Sequence, residues 1–221
     1  QVFRTNMDIQ LSEMFKFGFR INLSRISQEN AKFGFSDLYQ TSTPTRAIYD
    51  NLGNYTALDP ITASIDSNFE ADINMKDDHS RITNILSSFY LEFRPWDNFV
   101  FKTTFNPQIN DFKRNRFNPG RLPNNLIVNN GGDARVDNSL EVSYINENTM
   151  TFNTDIGEND NLTVLAGFTI QKSELESSFS RSFGLSNDNT GYNNMSFGAD
   201  PSRNALGSNY NSFQLVSWLG R

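Results

Sequence analysis

Stretches in which apolar and polar residues alternate dominate this chain. In residues 15–23 every odd position is apolar, beginning with Phe15 and ending with Leu23, and no even position is. Side chains of a β-strand point alternately to its two faces, so this period of two predicts a strand with one apolar face. Comparable stretches cover about residues 2–11, 84–93, 99–106, 139–153 and 162–171, and a seventh begins near Phe213.

Helical patterns have little support in comparison. Gly, Asn and β-branched residues interrupt every window long enough for a helix, although residues 29–40 permit a short one. The prediction is therefore an all-β chain of about seven antiparallel strands.

The two faces of these strands differ in charge, and the connections between them differ in length. No charged residue falls on an apolar face. The opposite faces hold Arg4, Asp8, Lys16, Arg20, Glu92, Lys102, Glu141 and Glu147. Short connections at about residues 12–14, 94–98 and 154–161 alternate with long ones at about residues 27–80, 107–138 and 172–212.

Two architectures produce such alternation. A soluble antiparallel sandwich buries one face of each sheet, whereas an up-and-down transmembrane barrel exposes its apolar face to lipid. Strands of about 9–11 residues, uncharged outer faces and the short–long rhythm of the connections favour the barrel, with long extracellular loops. Phe15, Phe93 and Trp96 lie beside predicted short turns, where an interfacial aromatic girdle is expected.

Composition excludes several functions. The net charge is -6, so no basic field is available for nucleic acid. There is no Cys and a single His, which argues against cysteine or zinc chemistry, so we expect no catalytic, cofactor or metal site. Mean hydropathy is -0.54, and no apolar run approaches the roughly 20 residues of a membrane-spanning helix.

A few polar clusters were candidates for chemistry. His79 follows Asp77 and Asp78 at the end of a long connection, where a solvated charge cluster is the simpler interpretation. Residues 187–191 resemble a calcium loop only loosely, because the terminal bidentate Glu is missing. Arg114, Arg116 and Arg121 form a basic cluster that neutralises nearby acids in the simplest interpretation.

Aromatic residues in the long connections are the better candidates for binding. Aromatic faces beside amides and carboxylates can bind sugars or peptides, although packing of the loops against one another explains them equally simply. The candidate substrate-binding residues are Tyr39, Tyr49, Tyr55, Phe112, Phe117 and Tyr192.

Four short motifs resemble one known family, the SusC/RagA-like TonB-dependent outer-membrane transporters. Residues 147–152 (ENTMTF) are similar to its Glu-Asn-Thr-Leu-Thr-Tyr strand, and residues 165–168 (LAGF) follow at the family's spacing. Residues 217–221 (SWLGR) resemble a strand start, and residues 49–55 (YDNLGNY) resemble a loop turn of the family. Met150, Phe152 and Trp218 depart mildly from the family pattern and keep its apolar or aromatic character.

The resemblance implies that residues 1–221 are part of a 22-stranded barrel in the outer membrane of a Gram-negative bacterium, without its plug and TonB-contacting segments. It implies import of oligosaccharides or peptides, with a SusD-like surface lipoprotein, membrane lipids and TonB as partners. A passive porin and a secreted β-sandwich, either an adhesin or a carbohydrate-binding module, remain the alternatives.

Overall fold

A computed structural model describes residues 1–32, 46–157 and 160–221 of the chain. In these residues seven strands form one antiparallel sheet in which each strand pairs with its neighbours in sequence. The strands are β1 (Val2–Gln10), β2 (Phe15–Glu29), β3 (Asp77–Trp96), β4 (Phe99–Asn118), β5 (Gly132–Ile156), β6 (Asp160–Leu185) and β7 (Ala205–Gly220). The predicted up-and-down β fold is thereby confirmed.

The register aligns the apolar positions of all the strands on one face of the sheet, which we call the outer face. Phe19 is opposite Phe89, which is opposite Phe105, and the odd positions of β1 to β4 continue this alignment. On β5 to β7 the even positions continue it, since Phe101 is opposite Met150. The other face, which we call the inner face, carries the charged residues predicted for it.

No second sheet covers the outer face in the described residues. A sandwich would have buried Phe17, Phe89 and Phe168 between two layers, but all three lie on the single sheet and are only half-buried. This argues against the soluble sandwich.

The uncharged part of the outer face, which we call the apolar band, does not end at the same level on every strand. Towards the long connections, the first charged outer residue is Arg25 on β2 and Lys172 on β6. Through the pairing of β2 to β6, the residue of β6 at the level of Arg25 is Glu176. Glu176 lies four residues beyond Lys172. On β3 and β4 the first charged outer residues, Arg81 and Asp111, lie beyond and at the level of Arg25, so the boundary is uneven.

Aromatic rings gather where the apolar band meets the short turns. The rings of Phe15 and Phe93 stack with centroids 4.7 Å apart, and Trp96 meets Phe99 edge-on at 5.8 Å. These are the positions at which an interfacial girdle was predicted.

The strands are longer than their apolar patterns indicated. β3 and β4 each have 20 residues, and β6 continues to Leu185. The seventh strand begins at Ala205 and not near Phe213. Beyond the apolar band both faces of these strands mix polar and apolar residues, so the alternation is lost although the backbone ladder continues. The long connections are correspondingly shorter, at residues 30–76, 119–131 and 186–204.

Two short α-helices lie in the described part of the long connections, and the pattern predicted neither. Helix α1 (Phe69–Met75) begins after Asn68, whose side-chain oxygen accepts hydrogen bonds from the backbone N–H groups of Glu70 and Ala71 at 3.2 Å. Helix α2 (Pro123–Val128) begins with a proline. The helix permitted at residues 29–40 is not formed at Glu29, which ends β2, and residues 33–40 lie outside the described ranges. Among the described residues, no helix has the length and apolar character needed to cross a membrane.

Candidate substrate-binding surface

Three arginines lie side by side on the inner face, above the apolar band and near the long connections. Arg116 of β4 is directly opposite Arg135 of β5, which is directly opposite Arg181 of β6. Opposite residues of neighbouring strands have Cβ atoms only about 4.5–5.5 Å apart. We call these three residues the arginine row.

Two carboxylates next to the arginine row compensate part of its charge. Asp137 accepts hydrogen bonds from Arg116 at 2.9 Å and from Arg135 at 2.9 Å. Asp133 is more distant, because its contact with Arg181 measures 3.5 Å while Asn118 donates to it at 3.0 Å. The Nε atoms of Arg116 and Arg181 are buried and have no hydrogen-bond partner among the described residues.

A separate ion pair lies at the β3 side of the row. Arg114 donates two hydrogen bonds to Asp78, at 2.8 and 2.6 Å, and Asn30 donates a third at 2.8 Å. The basic cluster predicted in this region therefore neutralises acids at Arg114 and Arg116. Arg121 lies after the end of β4 and takes no part in the row.

The arginines keep these carboxyl groups ionised. Burial raises the pKa of Asp78, but hydrogen bonds from Arg114 and Asn30 and the charges of Arg114 and Arg116 outweigh burial, and its pKa lies below the ordinary value. Burial also raises the pKa of Asp137, but hydrogen bonds from Arg135 and Arg116 and the charges of these arginines outweigh burial. The pKa of Asp137 is therefore lowered as well. The hydrogen bond to Asp78 raises the pKa of Arg114.

The arginine row lines a polar cavity of about 240 Å³, together with residues that precede β3. Lys32 and Lys76 also line it, and each is paired with a carboxylate of its own, Glu29 and Asp72 respectively. Asp77, Asp78 and Asp133 line the cavity as well, so carboxylates lie among its arginines and lysines.

An aromatic cleft lies next to the arginine row on the same face. It has a volume of about 420 Å³, and Phe112 and Phe179 flank a floor of Ser139 and Ser177. Asn209 closes its far side. Phe112 was among the predicted binding residues, whereas Phe179 was missed, since only the register brings it to the same cleft.

Tyr49 and Tyr55 come together at the turn that the family motif indicated. Their rings stack with centroids 5.1 Å apart, and the Asp50 carboxylate accepts hydrogen bonds from the backbone of Leu52 and Asn54, both at 2.8 Å. The hydroxyl of Tyr49 donates to Glu70 at 2.5 Å, which together with burial raises its pKa. The pair thus lies on the first long connection, at a distance in sequence from the cleft.

Phe117 and Tyr192 lie on the opposite side of the sheet from the cleft. Phe117 is 7% exposed and packs with Ala134 and Leu185, and Tyr192 and Met195 cover this cluster from the third long connection. In this structure they hold that connection against the outer face above the apolar band. Tyr39 lies outside the described residues.

The remaining polar candidates have structural partners. His79 lies on β3 and not in a loop, with its Nε2 2.5 Å from Asp77. Asp188 of the loosely calcium-like segment accepts hydrogen bonds from the backbone of Gly120 and Arg121, at 2.7 and 3.1 Å. No group of three or more metal-ligating side chains occurs within residues 1–32, 46–157 and 160–221.

Curated relatives of this chain are receptors. It is 39% identical over 220 residues to TonB-dependent receptor P26 of Formosa agariphila, a match that covers 100% of this chain and 22% of the relative. It is 25% identical over 227 residues to TonB-dependent receptor P3 of the same organism, covering 98% of this chain and 22% of that one. The chain thus spans about a fifth of the length of these relatives. No family model matches the chain.

Solved structures share the arrangement of its strands. The RagAB peptide transporter matches with a TM-score of 0.75 and 15% identity, over 98% of this chain and 25% of that chain. The RagAB peptide importer in its "open-open" state matches with a TM-score of 0.76 and 15% identity, over 98% and 24%. At this identity the likeness establishes the fold: seven strands of a larger barrel.

Proposed function

This chain belongs to the TonB-dependent receptors, and we propose that it forms part of the barrel wall of an active importer in the outer membrane of a Gram-negative bacterium. One observation carries the proposal. A sheet whose outer face has an uncharged band and whose inner face is charged occurs in a chain 39% identical to a TonB-dependent receptor. In lipid, strands need a closed barrel to pair every backbone group, and the unpaired edges of β1 and β7 are compatible with continuation into one.

The substrate in this proposal is an oligosaccharide or a peptide. Its binding residues belong to the inner face and the long connections, as loops and walls held by a rigid barrel commonly carry binding sites. Of the residues predicted from the sequence, Phe112 has the strongest support, because it borders an open cleft. The stacked pair Tyr49 and Tyr55 is a second contact, and Tyr39 remains a candidate. Phe117 and Tyr192 would contribute indirectly, by positioning the third long connection.

The partners in this proposal follow from the same family. A SusD-like surface lipoprotein would cover the long connections and deliver the substrate, and membrane lipids would surround the apolar band. TonB would act through a plug domain elsewhere in the receptor. The chain itself would contribute architecture and substrate contacts, and no catalysis.

Uptake by intact cells tests the proposal. We expect deletion of the full receptor gene, loss of TonB and dissipation of the proton gradient each to abolish accumulation of a fluorescently labelled oligosaccharide or peptide above its external concentration. Co-purification of the receptor with a surface lipoprotein tests the partner. Continued uptake without TonB, and only down the concentration gradient, would favour the passive porin and contradict the proposal.

A further inference from the structure

We propose that the arginine row binds an anionic group of the imported substrate, and that this substrate is an acidic oligosaccharide whose sugar ring occupies the adjoining aromatic cleft. The inference rests on the proposed import function and specifies its substrate class. The anionic group is a carboxylate or a sulfate, since both offer the oxygens that a guanidinium recognises.

The first argument is the energetic cost of the row. Arg116, Arg135 and Arg181 are directly opposite one another, and like charges in that position destabilise a sheet. Among the described residues Asp137 pairs well with two of them, and Asp133 reaches the third only at 3.5 Å. One positive charge is thus poorly compensated in a chain whose net charge is -6. An anionic ligand would remove the remaining repulsion.

The second argument concerns hydrogen-bond donors. The Nε atoms of Arg116 and Arg181 are buried without a partner, although a guanidinium presents five N–H donors in a fixed plane. These side chains border the cavity of about 240 Å³ in front of the row. Arginine favours planar, bidentate contacts with anions such as carboxylate and phosphate. These Nε atoms are themselves buried, but the side chains of Arg116 and Arg181 are 36% and 40% exposed, so their terminal N–H groups are the donors that a ligand can reach.

The third argument is the neighbouring cleft, which fits a saccharide. Phe179 is two residues from Arg181 on β6, and Arg135 lies 4.7 Å from the centre of its ring. Ser139 and Ser177 are four residues from Arg135 and Arg181, which corresponds to about 13 Å along a strand. Aromatic rings can stack on the apolar face of a sugar while hydroxyl and amide groups bind its edges.

The backbone of these strands argues against a peptide that binds as an added strand. A peptide recognised by strand addition needs free backbone N–H and C=O groups. At Ser139 and Ser177 the strands pair on both sides, with β4 and β6 for the first and with β5 and β7 for the second. Recognition here therefore depends on side chains, which suits the many hydroxyl groups of a glycan.

Binding to the full receptor in detergent tests the inference. The probes are tetragalacturonate and its neutral methyl ester, a sulfated carrageenan tetrasaccharide and its desulfated form, and a tetraglutamate peptide. We expect the wild-type receptor to bind one of the acidic saccharides at least about tenfold more tightly than its uncharged counterpart, and less tightly as salt increases. The two acidic pairs separate a carboxylate from a sulfate ligand. This comparison requires no variant.

Variants then localise the charge. The double variant Arg116→Gln/Arg181→Gln should weaken binding of the acidic saccharide about tenfold or more and leave its neutral form unaffected, while Arg135 keeps Asp137 paired. The matched control is Arg81→Gln, which removes one positive charge from the outer face of the same sheet and should not change binding. A melting curve in detergent verifies that each variant folds.

Three results would overturn the inference. They are equal binding of acidic and neutral saccharides, unchanged binding by the folded double variant, and binding that depends on the arginine row only for tetraglutamate. If uptake remains TonB-dependent while any of these holds, the proposed import function stands and the inference fails. Loss of TonB dependence would instead contradict the import function, whatever the receptor binds.

Discussion

At the scale of the residue, a glycine sets up a contact between strands that are not neighbours. Gly18 of β2 lies between Asp8 of β1 and Tyr90 of β3 on the inner face. Because Gly18 has no side chain, Tyr90 reaches across it and donates a hydrogen bond to Asp8 at 2.5 Å. Lys102 lies 4.9 Å from the centre of the same ring. The Tyr90 side chain of β3 thus crosses β2 and contacts residues of both β1 and β4.

Replacing Gly18 should therefore destabilise the sheet. An alanine Cβ at this position would lie 2.2 Å from Cε1 of Tyr90 and 2.4 Å from Oδ1 of Asp8, so the tyrosine must move and its hydrogen bond breaks. We expect Gly18→Ala to cost about 1–3 kcal/mol in the free energy of unfolding, measured by denaturant titration of the receptor in detergent. Gly220→Ala is the control, because no atom lies within 4 Å of its Cβ position. Equal stability of both variants would contradict this account.

Acid should weaken the ion pair of Asp78 and Arg114. The pKa of Asp78 is lower in the folded protein than in an unfolded chain, so the pair stabilises the fold above the unfolded value of about 3.9. Its contribution is lost as the pH falls through the folded pKa. We expect the melting temperature of Asp78→Asn to lie below that of the wild type at pH 7 and the two curves to converge in strong acid. A difference independent of pH would show that the charge of Asp78 is not responsible.

At the scale of the element, each strand has two regions with different solvents. Within the apolar band one face is uncharged and the other polar, as in Phe105 and Thr104 of β4. Above the band the same strands carry polar residues on both faces, including the arginine row on the inner one and Lys172 on the outer one. The first region can be recognised in the sequence by its alternation. The second region lacks this pattern, and its ladder of backbone hydrogen bonds stabilises it.

Two separate arginine variants at adjacent positions of β4 test which face of the sheet contacts lipid. Phe105 is 41% exposed on the outer face, within the apolar band, so Phe105→Arg should destabilise the barrel by about 2–4 kcal/mol in lipid vesicles. Thr104→Arg on the inner face is opposite Glu147 and should cost much less. Urea titration of the receptor refolded into vesicles measures both. The reverse order would mean that the outer face does not contact lipid.

At the scale of the whole molecule, the described residues form an open sheet with two unpaired edges. β1 and β7 each have a single neighbour, and large apolar side chains on the outer face, such as Phe3, Met150 and Trp218, are exposed. Open edges and apolar faces of this extent promote association between chains in water.

Residues 1–221 produced alone should consequently not behave as a soluble domain. We expect them to aggregate in detergent-free buffer and to remain dispersed and rich in β-structure when detergent covers the outer face, as measured by light scattering and circular dichroism. A monomer that melts cooperatively without detergent would favour a self-contained soluble fold and contradict the barrel.

Local sequence patterns were enough to predict the strand faces, the order of the strands and the family. Alternation is a local property with a period of two, so Phe15 to Leu23 or Leu162 to Ile170 identify their faces without tertiary information. The family motifs are equally local, and the turn from Tyr49 to Tyr55 formed as its residues indicated.

Which polar residues share a site depends on the pairing of strands that are distant in sequence. Arg116, Arg135 and Arg181 are up to 65 positions apart in the sequence, and they meet because of the register between three strands. A shift of one residue would turn one strand's side chains to the other face. Likewise, Phe112 and Phe117 lie on either side of the polar residues 113–116 of β4, but the first lines a cleft and the second is covered by a distant connection. Whether a side chain is buried, and which side chains it lies beside, depends on residues distant in sequence. A local sequence pattern therefore cannot predict either property.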